Sequence, residues 1–260
     1  SIRFLRDFNF GGRNLARGRV GVIGGGNSAI DAARVAFRQS DLENVTIFYR
    51  RSRQEMPAFQ LEIDAALEES VNLETLVSPT RIITENGRLT GIELIRNELG
   101  KPDASGRRSF RKKPGTEFTI PLDTLIVAIG EQMYPFALDG SAGIEISDRG
   151  TLVVNENTLE TSRPGVFAAG DAVTGPNSVI NAIAAARKAA YMIDRYLKGE
   201  EMTITPVVNL PKIYVEPVSE EQAIPGPAER INPPMLSINE RRRCFAEVEM
   251  AFSLEEAVFE

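Results

Sequence analysis

The sequence has no histidine, no tryptophan and a single cysteine, Cys244. Without histidine the commonest general base and the usual metal ligand are missing, which leaves little material for a hydrolytic triad or a zinc centre. A lone cysteine excludes an intrachain disulfide, a CxxC redox pair and a cysteine metal cage within these 260 residues. Long apolar runs are missing as well. The longest, such as residues 124–129 and 182–186, fall far short of the roughly 20 residues that cross a bilayer, and no charged, apolar and small-residue succession of a signal peptide opens the chain. No membrane insertion is expected, and a cytoplasmic location is. Excess positive charge is absent too: a net charge of −6 argues against nucleic acid as a partner, because phosphate contacts need clustered lysine and arginine. The composition, 42% hydrophobic and 25% charged, is that of a globular protein. An enzyme built from it would draw its chemistry from a cofactor.

What the sequence does have is a glycine turn in the right setting. Residues 20–23 form a β-rich apolar run. Gly24, Gly25, Gly26, Asn27, Ser28 and Ala29 follow, and residues 27–39 are helix-forming, with Ile30, Ala33, Val35 and Ala36 available to a sheet and Arg34 and Arg38 to water. A second β-rich run covers residues 45–49. Strand, turn, helix and strand in this order make a βαβ unit with a parallel, right-handed crossover. The turn fits GxGxxA. Gly24 permits the tight bend, Gly26 lets backbone amides approach a pyrophosphate, and Ala29 lets the helix pack closely on the sheet. A pyrophosphate would then sit on the positive end of the helix. The plain alternative, a structural glycine turn, is weakened by the apolar strand before it and the amphipathic helix after it.

At the end of the second strand, where a site preferring NAD would offer a carboxylate to the ribose, stand Arg50, Arg51, Ser52 and Arg53. Guanidinium groups there take a 2′-phosphate in charge-assisted bonds and favour NADP(H); the alternative is a solvated basic turn.

Downstream, residues 59–70 read as a second amphipathic helix, placing Leu61, Ile63, Ala66 and Leu67 among acidic residues. Strand-like runs at 73–77, 81–84 and 90–95 follow, the last two joined by Asn86-Gly87, a hairpin signal. Residues 100–115 are polar and carry Arg107, Arg108, Arg111, Lys112 and Lys113. They read as a mobile, solvated connection, with a docking surface as the alternative. Strands are expected at 117–120, 124–129, 152–154 and 165–168, then a helix over 177–198 whose Ile180, Ile183, Ala190, Ile193 and Leu197 recur at helical spacing as a core face. Beyond Gly199 the prolines from Pro206 to Pro234 mark a wrapping or interface tail.

One more segment carries chemistry: GVFAAGD, ending in Gly170 and Asp171, followed by Gly175-Pro176-Asn177-Ser178-Val179. An aspartate at a strand's carboxyl end can accept from polyol hydroxyls, and a helix start offers unpaired amides to an electron-rich ring edge. Alternatively Asp171 belongs to a turn and Ser178 or Asn177 is an N-cap.

The GVFAAGD segment resembles the FAD signature of flavoproteins with paired dinucleotide-binding domains. GGGNSAIDAAR, YRRSRQEMPA, DTLIVAIGEQ and GDAVTGPNSVINAIAAARKAA, in this order between residues 18 and 197, together resemble the small, flavin-containing subunit of NADPH-dependent glutamate synthase. Its relatives include bifurcating transhydrogenase subunits, dihydropyrimidine dehydrogenase and the flavoprotein subunits of hydrogenases and formate dehydrogenases. The resemblance implies an α/β fold: a Rossmann-like NAD(P)-binding domain plus part of an FAD-binding domain. The segments would be a connection from the FAD domain (1–17), the NAD(P)H-binding domain (18–130), the C-terminal half of the FAD domain (131–199) and the proline-rich tail (200–260). It implies that the glycine turn holds the pyrophosphate, that Arg50, Arg51 and Arg53 hold the 2′-phosphate, and that Ala128, Ile129 and Gly130 lie where the chain crosses back near the nicotinamide. Asp171, after Gly170, would hold the ribityl chain, with Ser178, Val179 and Ala182 beside the isoalloxazine. Two features depart from the family. No GxGxxG strand for the ADP half of FAD precedes residue 20, and no cysteine-rich iron-sulfur segment is present, although residues 252–257 resemble the approach to one. The expectation is therefore a piece or split subunit: an NADP(H)-binding oxidoreductase module exchanging hydride with FAD at an incomplete site and passing electrons to an iron-sulfur partner domain or subunit. Homo-oligomerisation is left open. The rival reading is a non-catalytic nucleotide-binding or scaffolding module of a larger complex.

Overall fold

Val20 and Val22 on one strand, and Val45, Ile47 and Phe48 on the next, are almost wholly buried. Burial on both faces is what makes their sequence continuously apolar rather than alternating. In the computed structural model, which describes residues 1–39, 41–102, 106, 108–131, 143–203 and 231–259, these strands lie at the centre of a parallel sheet. After helix α1 (Ile2–Gly11) come β1 (Gly18–Ile23), α2 (Asn27–Phe37), β2 (Leu42–Tyr49), a 3-10 turn (Arg53–Glu55), α3 (Gln60–Glu68) and β3 (Asn72–Thr75). Three antiparallel strands follow, β4 (Val77–Glu85), β5 (Arg88–Pro102) and β6 (Arg108–Pro121), before β7 (Thr124–Val127) returns to the first sheet. The strand order is β3-β2-β1-β7, all parallel, and β4-β5-β6 form a separate antiparallel ribbon.

The chain divides into two compact units, residues 1–129 with 218–260, and residues 130–217. In the first, α2 sets Ala29, Ile30, Ala32, Ala33 and Ala36 into a core with Val20, Val22, Val45 and Ile47. Phe48 instead joins Leu122 and the ribbon residues Val77, Ile92 and Leu94 in a second cluster. The sheet thus has helices against one cluster and the ribbon against the other. From Ile231 on, the described tail packs here too: α6 (Ile238–Arg241) opens with a Ser237–Glu240 capping box, the Phe245 ring packs against Phe8, tilted by 41° with centroids 4.7 Å apart, and α7 (Leu254–Phe259) follows.

Several expectations need correction. Arg34 and Arg38 do not face water; both bond the carboxylate of Glu69, which is fully buried, and Arg241 of α6 reaches the same group. Leu61 on α3 is exposed, while Ile63 and Ala66 carry the packing. The run at 73–77 is broken at Leu76, whose φ is 56°; β3 ends before the break, in the parallel sheet, and β4 begins after it, in the ribbon. Most of the expected mobile connection at 100–115 is strand: β5 and β6 pair as far as Pro102 with Arg108. Polar residues suit a two-stranded extension that is exposed over most of its surface, so the polarity of the run is the same as that of a loop. Arg107 lies outside the described residues.

In the second unit the expected short strands at 152–154 and 165–168 are single bridges, Ile146 with Leu152, Val154 with Thr161 and Glu160 with Phe167. A short helix α4 (Asp171–Thr174) precedes α5 (Val179–Lys198), which stops at Gly199 in the left-handed conformation. The expected core face of α5 is not one among the described residues. Ile180 and Leu197 are each 77% exposed and Ile183 and Ile193 are also exposed, while Ala189 and Met192 are buried. Helical period fixes which residues share a face, not whether anything lies against it. No described helix is long and apolar enough to cross a membrane.

Candidate functional site

β1 ends where its neighbours close on it. Gly24 N–H donates to the Phe48 carbonyl on β2 at 3.1 Å, and Ala128 N–H, just past β7, donates to Ile23 at 2.7 Å. The chain must turn at once between these two contacts. Gly24 does so at φ +148°, and a Cβ there would lie 2.2 Å from the Ala128 carbonyl oxygen. Gly25 is pinned by a different contact, since its Cβ would strike the Tyr49 ring at 2.4 Å. Tyr49 is itself held by a 2.7 Å bond from its hydroxyl to the Glu55 carbonyl.

Gly26 differs from both. It is the N-cap of α2 in an extended conformation, it has no side-chain cap, and the nearest atom to a Cβ there would be Pro57 Cγ at 4.0 Å. The space beside Gly26, where a side chain would project, is thus open. Ala29 N–H already donates to the Gly26 carbonyl at 2.9 Å, which leaves the amides of Asn27 and Ser28 as those with no carbonyl one turn back, and the helix dipole adds positive potential there. Ala29 is wholly buried, as close packing of helix on sheet requires. Asn27 is exposed and Ser28 half-buried; Asn27 Oδ1 accepts from the Phe59 amide at 3.0 Å, tying the turn to the start of α3. This geometry fits a pyrophosphate: a bend only glycine can make, and an uncapped helix end with room beside it.

The three arginines after β2 are placed in three different ways. Arg50 is exposed, with its guanidinium 5.2 Å from the centre of the Phe110 ring. Arg51 is buried at 8% exposure, 5.4 Å from the same ring, and its Nε donates to the Arg108 carbonyl at 2.5 Å. Arg53 pairs with Asp64 on α3. Backbone contacts hold the strand end as well: Asn97 Nδ2 donates to the Arg50 carbonyl at 2.9 Å and Leu76 N–H to the Arg51 carbonyl at 3.0 Å. Neither Phe110 nor Asn97 carries a local signature in the sequence. An aromatic residue in a basic run and an asparagine in a strand acquire meaning only through pairing some 50 residues away.

Ala128 and Ile129 follow β7 in the first unit, Ile129 exposed, and Gly130 begins the second with φ +107°. Within the second unit the structure brings Gly170, Asp171, Ser178, Val179 and Ala182 together. Gly170 has φ 66° and ψ −149°, and a Cβ there would lie 3.8 Å from Ala182. Asp171 is exposed and its Oδ1 accepts from the Asn177 amide at 3.2 Å. Ser178 is the N-cap of α5, its Oγ accepting from the Asn181 amide at 3.2 Å. Val179 opens the helix and is exposed.

A family model described as pyridine nucleotide-disulphide oxidoreductase matches residues 1–186, and the chain belongs to that family. It is 42% identical over 262 residues to the NADP(+)-dependent formate dehydrogenase subunit beta of Moorella thermoacetica, a match covering 96% of this chain and 36% of the relative. Against the glutamate synthase [NADPH] small chain of Escherichia coli strain K12 it is 37% identical over 184 residues, covering 69% of this chain and 39% of the relative. The resemblance drawn from the motifs is thereby borne out. Among solved structures, T. acidophilum thioredoxin reductase superposes with a TM-score of 0.53 at 25% identity, covering 70% of this chain and 52% of that one. The α/β fold is thus that of flavoproteins with two dinucleotide-binding domains. The chain spans well under half the length of the two relatives named. The disulphide in the family's name has no dithiol counterpart here, where Cys244 is alone.

Proposed function

We propose that this chain is the NADP(H)-binding module of a larger cytoplasmic flavin oxidoreductase, and that it also supplies part of the FAD site. The observation that carries the reading is the pairing of a glycine-only bend at Gly24 with the uncapped, open start of α2 at Gly26. The backbone of Gly24, Gly25, Gly26, Asn27 and Ser28 would bind the pyrophosphate, with Ala29 letting the helix come close. Arg50, Arg51 and Arg53 would supply positive charge for the 2′-phosphate at the carboxyl end of β2. Ala128, Ile129 and Gly130 would line the way toward the nicotinamide. In the second unit Gly170 and Asp171 would face the ribityl chain, and Ser178, Val179 and Ala182 the ring system. When both cofactors are bound they supply the chemistry, a two-electron hydride transfer between the nicotinamide C4 and the flavin N5. The chain's own part is proximity and orientation, which suits a sequence without histidine. Electrons would leave toward an iron-sulfur partner domain or subunit; that the protein works with a partner is in keeping with a relative whose own name calls it a subunit.

The test is absorbance of the full-length protein. A visible flavin band that NADPH bleaches without oxygen is expected. A colourless protein, or a band that NADPH leaves unchanged, overturns the reading.

A further inference from the structure

Two guanidinium groups share one aromatic ring in this molecule. Arg50 and Arg51 lie 5.2 and 5.4 Å from the centre of Phe110, a half-buried residue on β6. The ring's negative face offsets part of their mutual repulsion and restricts both planes. Arg51 has little water to screen it. Its Nε is spent on the Arg108 carbonyl, its Nη1 is sealed from solvent, and that Nη1 has no hydrogen-bond partner among the described residues. A buried cation with an unmade hydrogen bond at Nη1 is costly. The chain end that carries the pair is fixed from behind: Asn97 is buried, and its Nδ2 bonds both the Arg50 carbonyl and Ser78 Oγ, the latter at 2.8 Å. The result is concentrated, pre-oriented positive charge at the strand end that faces the ribose of a bound dinucleotide.

We propose that Phe110, with the Arg108 carbonyl beside it, is the positioning residue that makes Arg50 and Arg51 a 2′-phosphate receptor and so sets a preference for NADP(H) over NAD(H). This rests on the dinucleotide site proposed above and adds the ribbon to it. Arg50, being exposed, meets the phosphate directly. Arg51 supplies field from behind, and Phe110 keeps both guanidinium groups aimed before the ligand arrives. The ribbon between β3 and β7 is thus a specificity element and not only a cover for Phe48.

The test uses two ligands that lack nicotinamide, ADP-ribose and ADP-ribose 2′-phosphate, titrated calorimetrically against the wild-type chain, Phe110→Leu and Phe110→Tyr. Wild type should prefer the 2′-phosphate form by about tenfold or more. Phe110→Leu should lose about tenfold for that ligand alone, the worth of two weakened cation–π contacts, with ADP-ribose unchanged within about twofold. Phe110→Tyr should restore the preference, because it restores the ring. Unchanged preference in Phe110→Leu overturns the proposal. So does an equal loss of both ligands, which would make Phe110 merely structural. No preference in wild type would instead overturn the NADP(H) reading itself, a separate outcome seen in the same titration.

Discussion

The carbonyl oxygen of Ala128 closes over Gly24 so tightly that a methyl group on the glycine would sit 2.2 Å from it. The two residues belong to segments over 100 positions apart, yet together they fix the bend that opens the cofactor site. Gly24→Ala should therefore fail twice. The new Cβ meets backbone that cannot yield, and φ +148° strains any L side chain, a cost of about 1–3 kcal/mol before the clash is counted. At Gly26 the protein leaves room, and the extended backbone accepts alanine. Gly26→Ala should keep its unfolding free energy, measured in urea, within about 1 kcal/mol of wild type, while losing NADPH affinity, because the added methyl occupies the ligand's side of the turn. If Gly26→Ala binds NADPH as wild type does, the pyrophosphate is not at this helix end.

Asp123 stands just before β7 and grips β1. Its Oδ2 accepts from the Arg19 amide at 2.9 Å and from Arg19 Nε at 2.8 Å, and its Oδ1 from Arg19 Nη2 at 3.0 Å. These bonds, the side-chain ones first, lower the Asp123 pKa to about 2. The unfolded chain's aspartate titrates near 3.9. A lowered folded-state pKa means stability that is fully present above the unfolded value and lost as pH falls through the folded one. The stability difference between wild type and Asp123→Asn, measured by urea unfolding, should hold steady above about pH 5 and shrink between about pH 4 and pH 2. A pH-independent difference would show that the ionised carboxylate is not what holds β7 against β1.

Strand, turn and α2 could be read along the chain because each is dictated by near neighbours: alternate burial is unnecessary in a parallel strand, and Gly24 to Ala29 announce the bend. Arg34 and Arg38 could not. Two arginines on a helix read as solvent-facing unless a buried carboxylate awaits them, and Glu69 stands at the far end of the next helix, with Arg241 arriving from the tail. The ribbon was hidden for a similar reason. A largely exposed hairpin extension has no apolar alternation, so only the pairing of Asn97 with Lys112 and Leu99 with Phe110 reveals it. Of the candidate site, the turn and the arginine run were plain, whereas the Phe110 platform and the Asn97 brace depend on contacts that no local pattern carries.

Around Glu69 three arginines share carboxylates of unequal burial, since Arg34 also pairs with the half-exposed Glu62 and Arg241 with the exposed Glu68. One fully buried carboxylate serves Arg34 and Arg38, with Arg241 Nε 3.8 Å away and its Nε and Nη1 lacking hydrogen bonds among the described residues. Neutralising the buried anion leaves Arg38 without its carboxylate and Arg34 and Arg241 with only their more exposed partners, so Glu69→Gln should cost about 3–5 kcal/mol. Removing Arg241 breaks its pair with the exposed Glu68 but leaves Arg34 and Arg38 on Glu69. Arg241→Met, which keeps the apolar stem, should stay within about 2 kcal/mol of wild type. Urea unfolding of the two variants checks the order, and a larger loss in Arg241→Met would mean that the tail's anchor, not the α2–α3 contact, dominates this cluster.

Ser178 has a structural task that can be separated from the flavin role proposed for it. Its hydroxyl caps α5 through the Asn181 amide, and its own amide donates to Asn177 Oδ1 at 2.8 Å. Ser178→Ala removes the cap and should cost about 1 kcal/mol of stability. Ser178→Asp keeps a capping oxygen and sets a negative charge favourably on the helix dipole, so stability should be preserved. The same charge would lie beside the electron-rich edge of a bound flavin. In the full-length protein, Ser178→Asp should therefore lower flavin occupancy, read from the ratio of visible to ultraviolet absorbance, while Ser178→Ala lowers stability and leaves occupancy near wild type. The opposite pairing, flavin lost from the alanine variant and retained by the aspartate, would make the hydroxyl itself the ligand. Full occupancy in both variants would place the flavin away from the start of α5.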